Sequence, residues 1–383
     1  MVQTSEKNIG LPYLMQYYPG LRDIPWIKLI NSPTSVHRLD GLEKELNFKG
    51  LFIKRDDLTN PDYGGNKPRK FEFLLGHALN QKKKHILTMG GIGSNHCVAN
   101  SMFCKQLGLK SIIYLQNQPL TEHVRENLLL ELYYNAKIVH KKTEIGLALA
   151  MIAYILTHWR SYLIWAGGSN KIGTIGFVNA AFELKNQIDT GILPEPDYIF
   201  TTTGSSGTTA GLTLGCELVG LKSKIMGITV STEQWASKKR VMDLALKCLK
   251  YMKKYDSSIA DVPYYRIENR FEINTNYFGG TYGILTDKGL EAVNLIEKTD
   301  AIHLETTYTG KTLSALLAFV DQFRDNLQNK TILFWNTYNS IDQSPKVAQM
   351  DYRNLDKKMH RYFDGSIPLS KKVVPIEKMF KDS

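Results

Sequence analysis

The stretch Ile86-Leu87-Thr88-Met89-Gly90-Gly91-Ile92-Gly93-Ser94-Asn95-His96 decides the fold. Ile86–Met89 reads as a short buried strand, the three glycines as a tight turn, and Asn95–Leu107 as the helix that the turn opens. The same order recurs twice. Strand-like Tyr198–Thr201 leads into Gly204-Ser205-Ser206-Gly207-Thr208-Thr209-Ala210-Gly211 and a helical pattern over 208–219. Leu51–Lys54 leads through Arg55-Asp56-Asp57 toward Gly64-Gly65-Asn66-Lys67-Pro68-Arg69-Lys70 and a helical pattern over 70–80. Further strand-like runs at Ile112–Leu115, Ile225–Val230 and Thr331–Trp335 alternate with helical patterns at 122–134, 145–160 and 174–188. Such alternation predicts an α/β fold built on parallel sheets.

Working outward, the 383 residues suit two domains at roughly 100–200 residues each. No low-complexity linker divides the chain, so a boundary must be a chain crossover. The longest apolar run, Ile145–Leu156, is short of the roughly 18 residues that a membrane helix needs. Met1–Gly10 lacks the basic start and apolar run of a signal peptide. A cytoplasmic protein without a membrane partner is expected. Cys97, Cys104, Cys216 and Cys248 form no close pair, and the nine histidines show no metal-ligand spacing, so no metal is expected. The net charge of +11 is dispersed, with Lys82-Lys83-Lys84 its longest run, and no nucleic-acid partner is expected. From about Ser344 the periodicity fades and Lys357, Lys358, Lys371 and Lys372 follow, which reads as a surface extension.

The glycine turns carry the chemistry. Successive N–H groups at a helix N-terminus, with the helix dipole behind them, make an anion site. The 90–96 turn is not a dinucleotide fingerprint, because His96 stands where the third glycine belongs and Gln116-Asn117-Gln118 where an acid is expected. The 204–211 turn lacks the Gly-Lys-Ser/Thr ending of a nucleotide loop. A small anion held by hydroxyls and backbone amides remains. Lys67, at the start of a helix, would have its amine depressed and made nucleophilic, as carbonyl chemistry requires. Cys97 reads as a packing residue.

In this order and spacing the motifs resemble the family of D-cysteine desulfhydrase and 1-aminocyclopropane-1-carboxylate (ACC) deaminase, pyridoxal-phosphate enzymes of the tryptophan-synthase-β fold type. The resemblance runs from about Pro33 to about Asn339 and includes Ile53-Lys54-Arg55-Asp56-Asp57. It implies two open, twisted parallel-sheet domains with the cofactor in the cleft between them. The larger would comprise 1–69 and 167–383, and the smaller, inserted one 70–166. It implies Lys67 as the lysine that bonds the cofactor and Asn66 as the neighbour of its 3-oxygen. Gly204, Ser205, Ser206, Gly207 and Thr208 would hold the phosphate, and Thr337 would face the pyridine nitrogen. Ser94, Asn95 and His96 would receive the substrate carboxylate, with Ser94, Tyr282 and Tyr308 acting beside Lys67 in catalysis.

Three departures bear on substrate. Gly93 replaces the usual glutamine, Tyr338-Asn339 replace Gly-Gly, and the C-terminal extension has no counterpart in the shorter members. Thr309 stands where deaminase members carry an acid. The expected activity is β-elimination from D-cysteine or a related β-substituted amino acid, giving pyruvate, ammonia and a thiol. ACC-type ring opening and non-catalytic amino-acid binding are the alternatives. A homodimer is expected.

Overall fold

The structure, a computed structural model, describes residues 10–141, 143–280 and 283–364. Its strands are β1 (Val36–Arg38), β2 (Leu51–Lys54), β3 (His85–Gly91), β4 (Lys110–Gln116), β5 (Lys137–His140), β6 (Ser161–Ile164), β7 (Tyr198–Thr203), β8 (Lys224–Thr229), β9 (Phe271–Asn274) and β10 (Ile332–Trp335). They form two sheets in two compact units. The first unit holds the described residues of 1–81 and 167–341, the second those of 82–166 and 342–364.

In the first unit the strand order is β1-β2-β10-β7-β8-β9, with only β1 antiparallel to its neighbour. Leu51, Ile53, Phe200, Ile332 and Phe334 turn into one core with Leu313, Leu316 and Ile296 of the covering helices. Three adjacent parallel strands, β2, β10 and β7, release their chains from the same carboxyl edge. That edge is where open α/β sheets place ligands. The loops leaving it are 55–66, 336–339 and 204–206, which contain two of the three motif turns.

The second unit has the order β5-β4-β3-β6, parallel throughout. Ile92, Cys97, Ile113, Leu115, Val124 and Leu128 fill one core, and Leu87, Ile112, Tyr114, Leu147 and Met151 another. No helix among the described residues is long and apolar enough to cross a membrane.

Two stretches depart from the expected domain limits. Residues 70–81 group with the first unit, because the Lys67–Asn80 helix buries Phe71, Phe73 and Leu74 there. Gly76 of that helix passes so close to Trp26 that an added Cβ would lie 2.4 Å from its Cα. Residues 342–364 group with the second unit, not the larger one. Leu355, Met359 and Tyr362 complete its core, and Arg125 donates to the Tyr362 carbonyl at 2.9 Å.

Candidate active site

The turn before Lys67 is shaped by what surrounds it. An added Cβ on Gly64 would fall 1.8 Å from the Asp57 carbonyl oxygen. Gly65 has φ +88°, and its Cβ would lie 2.9 Å from the Thr337 carbonyl oxygen. Only glycine fits both positions. The 336–339 loop closes over the turn. Asn66 N–H donates to the Thr337 carbonyl at 3.2 Å, and Gly64 N–H donates to Asn339 Oδ1 at 2.7 Å. The Tyr338-Asn339 departure therefore has a local role, since Asn339 fastens the lysine turn.

Behind the turn, the charged stretch 54–57 belongs to a buried ion network. Arg69 donates to Asp56 Oδ1 and Oδ2, both at 2.7 Å, and to Glu183 at 2.9 and 3.0 Å. Lys54 donates to Glu183, Gln187 and the Thr34 carbonyl. Burial alone would raise the Glu183 carboxyl, yet Arg69 and Lys54 hold it well below the carboxylate range. Two residues beyond Lys67, this network fixes the first turn of the lysine's helix.

Lys67 donates to Asn66 Oδ1 at 2.8 Å, and Asn66 Nδ2 donates to Thr208 Oγ1 at 3.1 Å. The lysine turn and the 204–208 loop, 142 residues apart in sequence at that bond, thus meet directly. Burial lowers the Lys67 amine from 10.5 to about 8. Such an amine is largely protonated at neutral pH but sheds its proton readily, as a nucleophile must.

The loop itself is built as an anion cradle. Ser206 takes the left-handed conformation, φ +67°, and the Gly207–Val219 helix starts directly after it. The first N–H groups of that helix have no partner inside it. Ser205 Oγ lies 2.7 Å from Ser169 Oγ, and Ser206 Oγ donates to the Trp235 carbonyl at 2.7 Å. Beside the loop stands a residue the sequence reading did not single out. Lys70 is buried, donates to the Gly167 carbonyl at 3.0 Å and to Ser169 Oγ at 3.1 Å, and has no acidic partner among the described residues. An added Cβ on Gly207 would sit 3.0 Å from its Nζ. Burial, with Lys67 and Arg240 nearby, holds the Lys70 ammonium well below the ordinary lysine range. Arg240 packs its guanidinium 4.8 Å over the Trp235 ring, and its buried Nε has no hydrogen-bond partner among the described residues. A buried cation lacking a carboxylate, as Lys70 is beside this helix N-terminus, needs an anion to complete it. A phosphate fits this place.

Tyr308 reaches the same loop: its Cε1 would lie 3.8 Å from a Cβ added to Gly204. Thr309 next to it is buried and donates to Glu305, whose carboxylate accepts the N–H groups of Thr307, Tyr308 and Thr309. Tyr282 lies outside the described residues.

In the second unit Ser94 caps the Asn95–Gln106 helix with its backbone, and its side chain is not used as the cap. Its hydroxyl lies against Gly90, where a Cβ would approach it to 2.6 Å. Asn95 Oδ1 is taken by His123 at 2.7 Å and Asn127 at 3.0 Å. His96 is buried with Nε2 2.9 Å from Thr88 Oγ1, which donates to the Ile164 carbonyl. Their side chains are thus held inside the unit, and the Ser94 hydroxyl is hydrogen-bonded to Cys97. Gln118 fills the space opened by Gly93: its Nε2 lies 2.6 Å from where the missing Cβ would be, and its buried Oε1 has no hydrogen-bond partner among the described residues. Burial raises the Cys97 thiol, as suits a packing residue.

A buried amine of lowered basicity, joined through Asn66 to a loop that suits an anion, has the features a phosphorylated aldehyde cofactor would need. The chain belongs to the pyridoxal-phosphate dependent enzymes, whose family profile matches residues 27–337. The crystal structure of an ACC deaminase homologue is similar over 88% of this chain and 99% of that one, with 27% identity and a TM-score of 0.71. A threonine deaminase from T.th. (19% identity, TM-score 0.59, 86% of this chain and 98% of that) shares the fold. So does a fungal L-serine ammonia-lyase from Rhizomucor miehei (17%, 0.56, 86% and 99%). Fold and cofactor follow: a fold type II enzyme, tryptophan-synthase-β-like, that works with pyridoxal phosphate.

Proposed function

We propose that the protein is a carbon–sulfur lyase that eliminates the β-substituent of D-cysteine or a related amino acid. With water, D-cysteine would give pyruvate, ammonia and hydrogen sulfide. Bound pyridoxal phosphate supplies an electron sink for the carbanion formed at the substrate's α-carbon. Lys67 would hold the cofactor covalently, the 204–208 loop with Lys70 its phosphate, and Asn66 its 3-oxygen. Once free, Lys67 Nζ takes the α-proton, which its lowered basicity allows near neutral pH. Tyr308 donates or accepts a proton on the same side as the phosphate loop, and Ser94 assists. The N-terminus at Ser94, Asn95 and His96 would take the substrate carboxylate.

The observation that carries the elimination reading is the setting of Lys67, in which no carboxylate among the described residues acts on its amine. Its amine is buried and bonds the neutral Asn66 amide. Glu305, the acid nearest the Tyr308 turn in sequence, is committed to three backbone N–H groups and the Thr309 hydroxyl. A hydroxyl at Thr337 offers no charge to a pyridine nitrogen. A neutral ring is the weaker sink, and suits a reaction whose β-leaving group carries the electrons away. The 27% identity to an ACC deaminase homologue favours ring opening as the second reading.

Cofactor-loaded protein incubated separately with D-cysteine, L-cysteine and ACC decides between them. Sulfide and pyruvate in equal amounts from D-cysteine support the lyase. A four-carbon 2-oxo acid from ACC, with no sulfide from either cysteine, replaces it with the deaminase. Neither product would leave a binding protein.

A further inference from the structure

The 90–96 turn of the second unit has few side chains to hold its first half. Gly90, Gly91 and Gly93 bring none, and Ile92 between them is fully buried. Asn127 Nδ2 donates to the Gly93 carbonyl at 2.9 Å. The remaining support comes from the chain that leaves β4 beside the turn. Ile92 N–H donates to the Gln116 carbonyl at 3.0 Å. Two residues on, the Gln118 carboxamide is wedged across the turn. A Cβ added to Gly91 would run into its Oε1, and one added to Gly93 would lie 2.6 Å from its Nε2.

Between Gln116 and Gln118 stands Asn117, and it is clamped by the C-terminal residues of the same unit. Its Oδ1 accepts the Tyr362 hydroxyl at 2.6 Å and Arg361 Nη2 at 3.3 Å, and lies 2.9 Å from His140 Nε2. The Tyr362 hydroxyl in turn accepts from Arg361 Nη2 at 2.6 Å. Tyr362 is itself fixed at both ends. Its ring shares a core with Ile92 and Val124, and its carbonyl accepts from Arg125. Val124 is also the side chain that, with Gln118, bounds Gly93.

We propose that Tyr362 is a positioning residue for the substrate turn. Through Asn117 it holds Gln118 against Gly91 and Gly93, so that the turn is preset for the amino acid's carboxylate. This rests on the reading that the 90–96 turn receives that carboxylate. A preset turn binds at a lower ordering cost. Loss of the clamp therefore weakens the grip on the amino acid and leaves the chemistry at Lys67 untouched. One hydrogen bond of this kind is worth about 3- to 10-fold in affinity.

A double-mutant cycle on the cofactor-loaded full chain tests this, with KM and kcat measured for D-cysteine or for ACC, whichever it turns over. Tyr362→Phe removes the hydroxyl and keeps the ring in the core. It should raise KM by about 3- to 10-fold, with kcat and the affinity for pyridoxal phosphate held within about twofold. Gln118→Ala should raise KM at least as far, and adding Tyr362→Phe to it should change KM by less than about twofold more. Asn117→Ala, at an exposed position, should match Tyr362→Phe and takes its place if that variant does not fold. Effects of Tyr362→Phe and Gln118→Ala that multiply overturn the proposal. So does a loss in Tyr362→Phe or Asn117→Ala that falls equally on kcat and cofactor affinity. Ser94→Ala separates the two ways to fail. If it raises KM while Tyr362→Phe and Asn117→Ala do not, the turn takes the carboxylate and the positioning role alone is refuted. If it leaves KM unchanged, the carboxylate reading falls and the positioning role falls with it.

Discussion

Replacing Lys70 with methionine separates the grip on phosphate from the stability of the fold. The side chain keeps nearly the same volume, and the ammonium is lost. In the cofactor-free protein the effects oppose each other. Gly167 and Ser169 lose a donor each, at 3.0 and 3.1 Å, worth about 1 kcal/mol apiece. Against that, a buried cation with no acidic partner is removed, together with its repulsion from Lys67 and Arg240. Stability in urea should therefore change by no more than about 1 kcal/mol. The phosphate contact has no such offset. A bond to a charged group contributes about 1.5–3 kcal/mol, or about 10- to 150-fold in affinity. Absorbance titrations of cofactor-free protein with pyridoxal phosphate and with pyridoxal provide the comparison. Lys70→Met should lose affinity for the first within that range and keep its affinity for the second within about threefold, since pyridoxal has no phosphate to lose. Equal losses for both, or none for either, would refute the phosphate role.

Three further outcomes follow from the same geometry. The Lys67 amine stands at about 8 in the fold against an ordinary 10.5. The unfolded chain therefore holds its proton over that window, and Lys67 should contribute a rise of about 3 kcal/mol in cofactor-free stability from pH 8 to 10.5. Urea titrations across that range should show a rise in wild type that is smaller by about that amount in Lys67→Met, with Lys70 and Lys311 supplying what remains. Arg69→Met strands Asp56 as a buried anion and leaves Glu183 with Lys54 as its one cation among the described residues, and should lose about 3–5 kcal/mol in the same assay; a loss below 1 kcal/mol would show that the network does not anchor the lysine helix. Gly93→Gln sets a side chain into the space of Gln118 and Val124 and should raise KM for the amino acid, while adding Gln118→Ala should recover most of it.

The strand–turn–helix order of the three motif turns was legible because their strands are apolar runs buried on both sides and their helices are long. β1, β5, β6 and β9 were not. Each has only three or four residues, and Lys137 and His140 bound β5 with polar groups. The Lys238–Met252 helix also went unplaced, though Val241, Met242, Ala245, Cys248, Leu249 and Met252 recur at helical spacing and are buried. At the site, Asn66, Lys67 and the 204–208 loop were readable from glycine-rich turns. Lys70 was readable in principle, one helical turn beyond Lys67 on the same side. Arg240 and Gln118 were not, because loops distant in sequence bring them to the loop and the turn they serve. The place of residues 342–364 likewise depended on where Leu355, Met359 and Tyr362 found an apolar face.

The central claim is that Lys67 is the cofactor's anchor. Besides Lys54, which is paired with Glu183, two other buried amines among the described residues compete for the role. Lys70 is one; the other is Lys311, which burial lowers to about 8 and which donates to the Phe278 carbonyl at 2.7 Å. Borohydride reduction of the cofactor-loaded protein, followed by peptide mass mapping, reports which lysine carries the pyridoxyl group. It should be found on Lys67 in wild type and be absent from Lys67→Ala. Recovery of the label on Lys70 or Lys311 in the wild type would contradict the account.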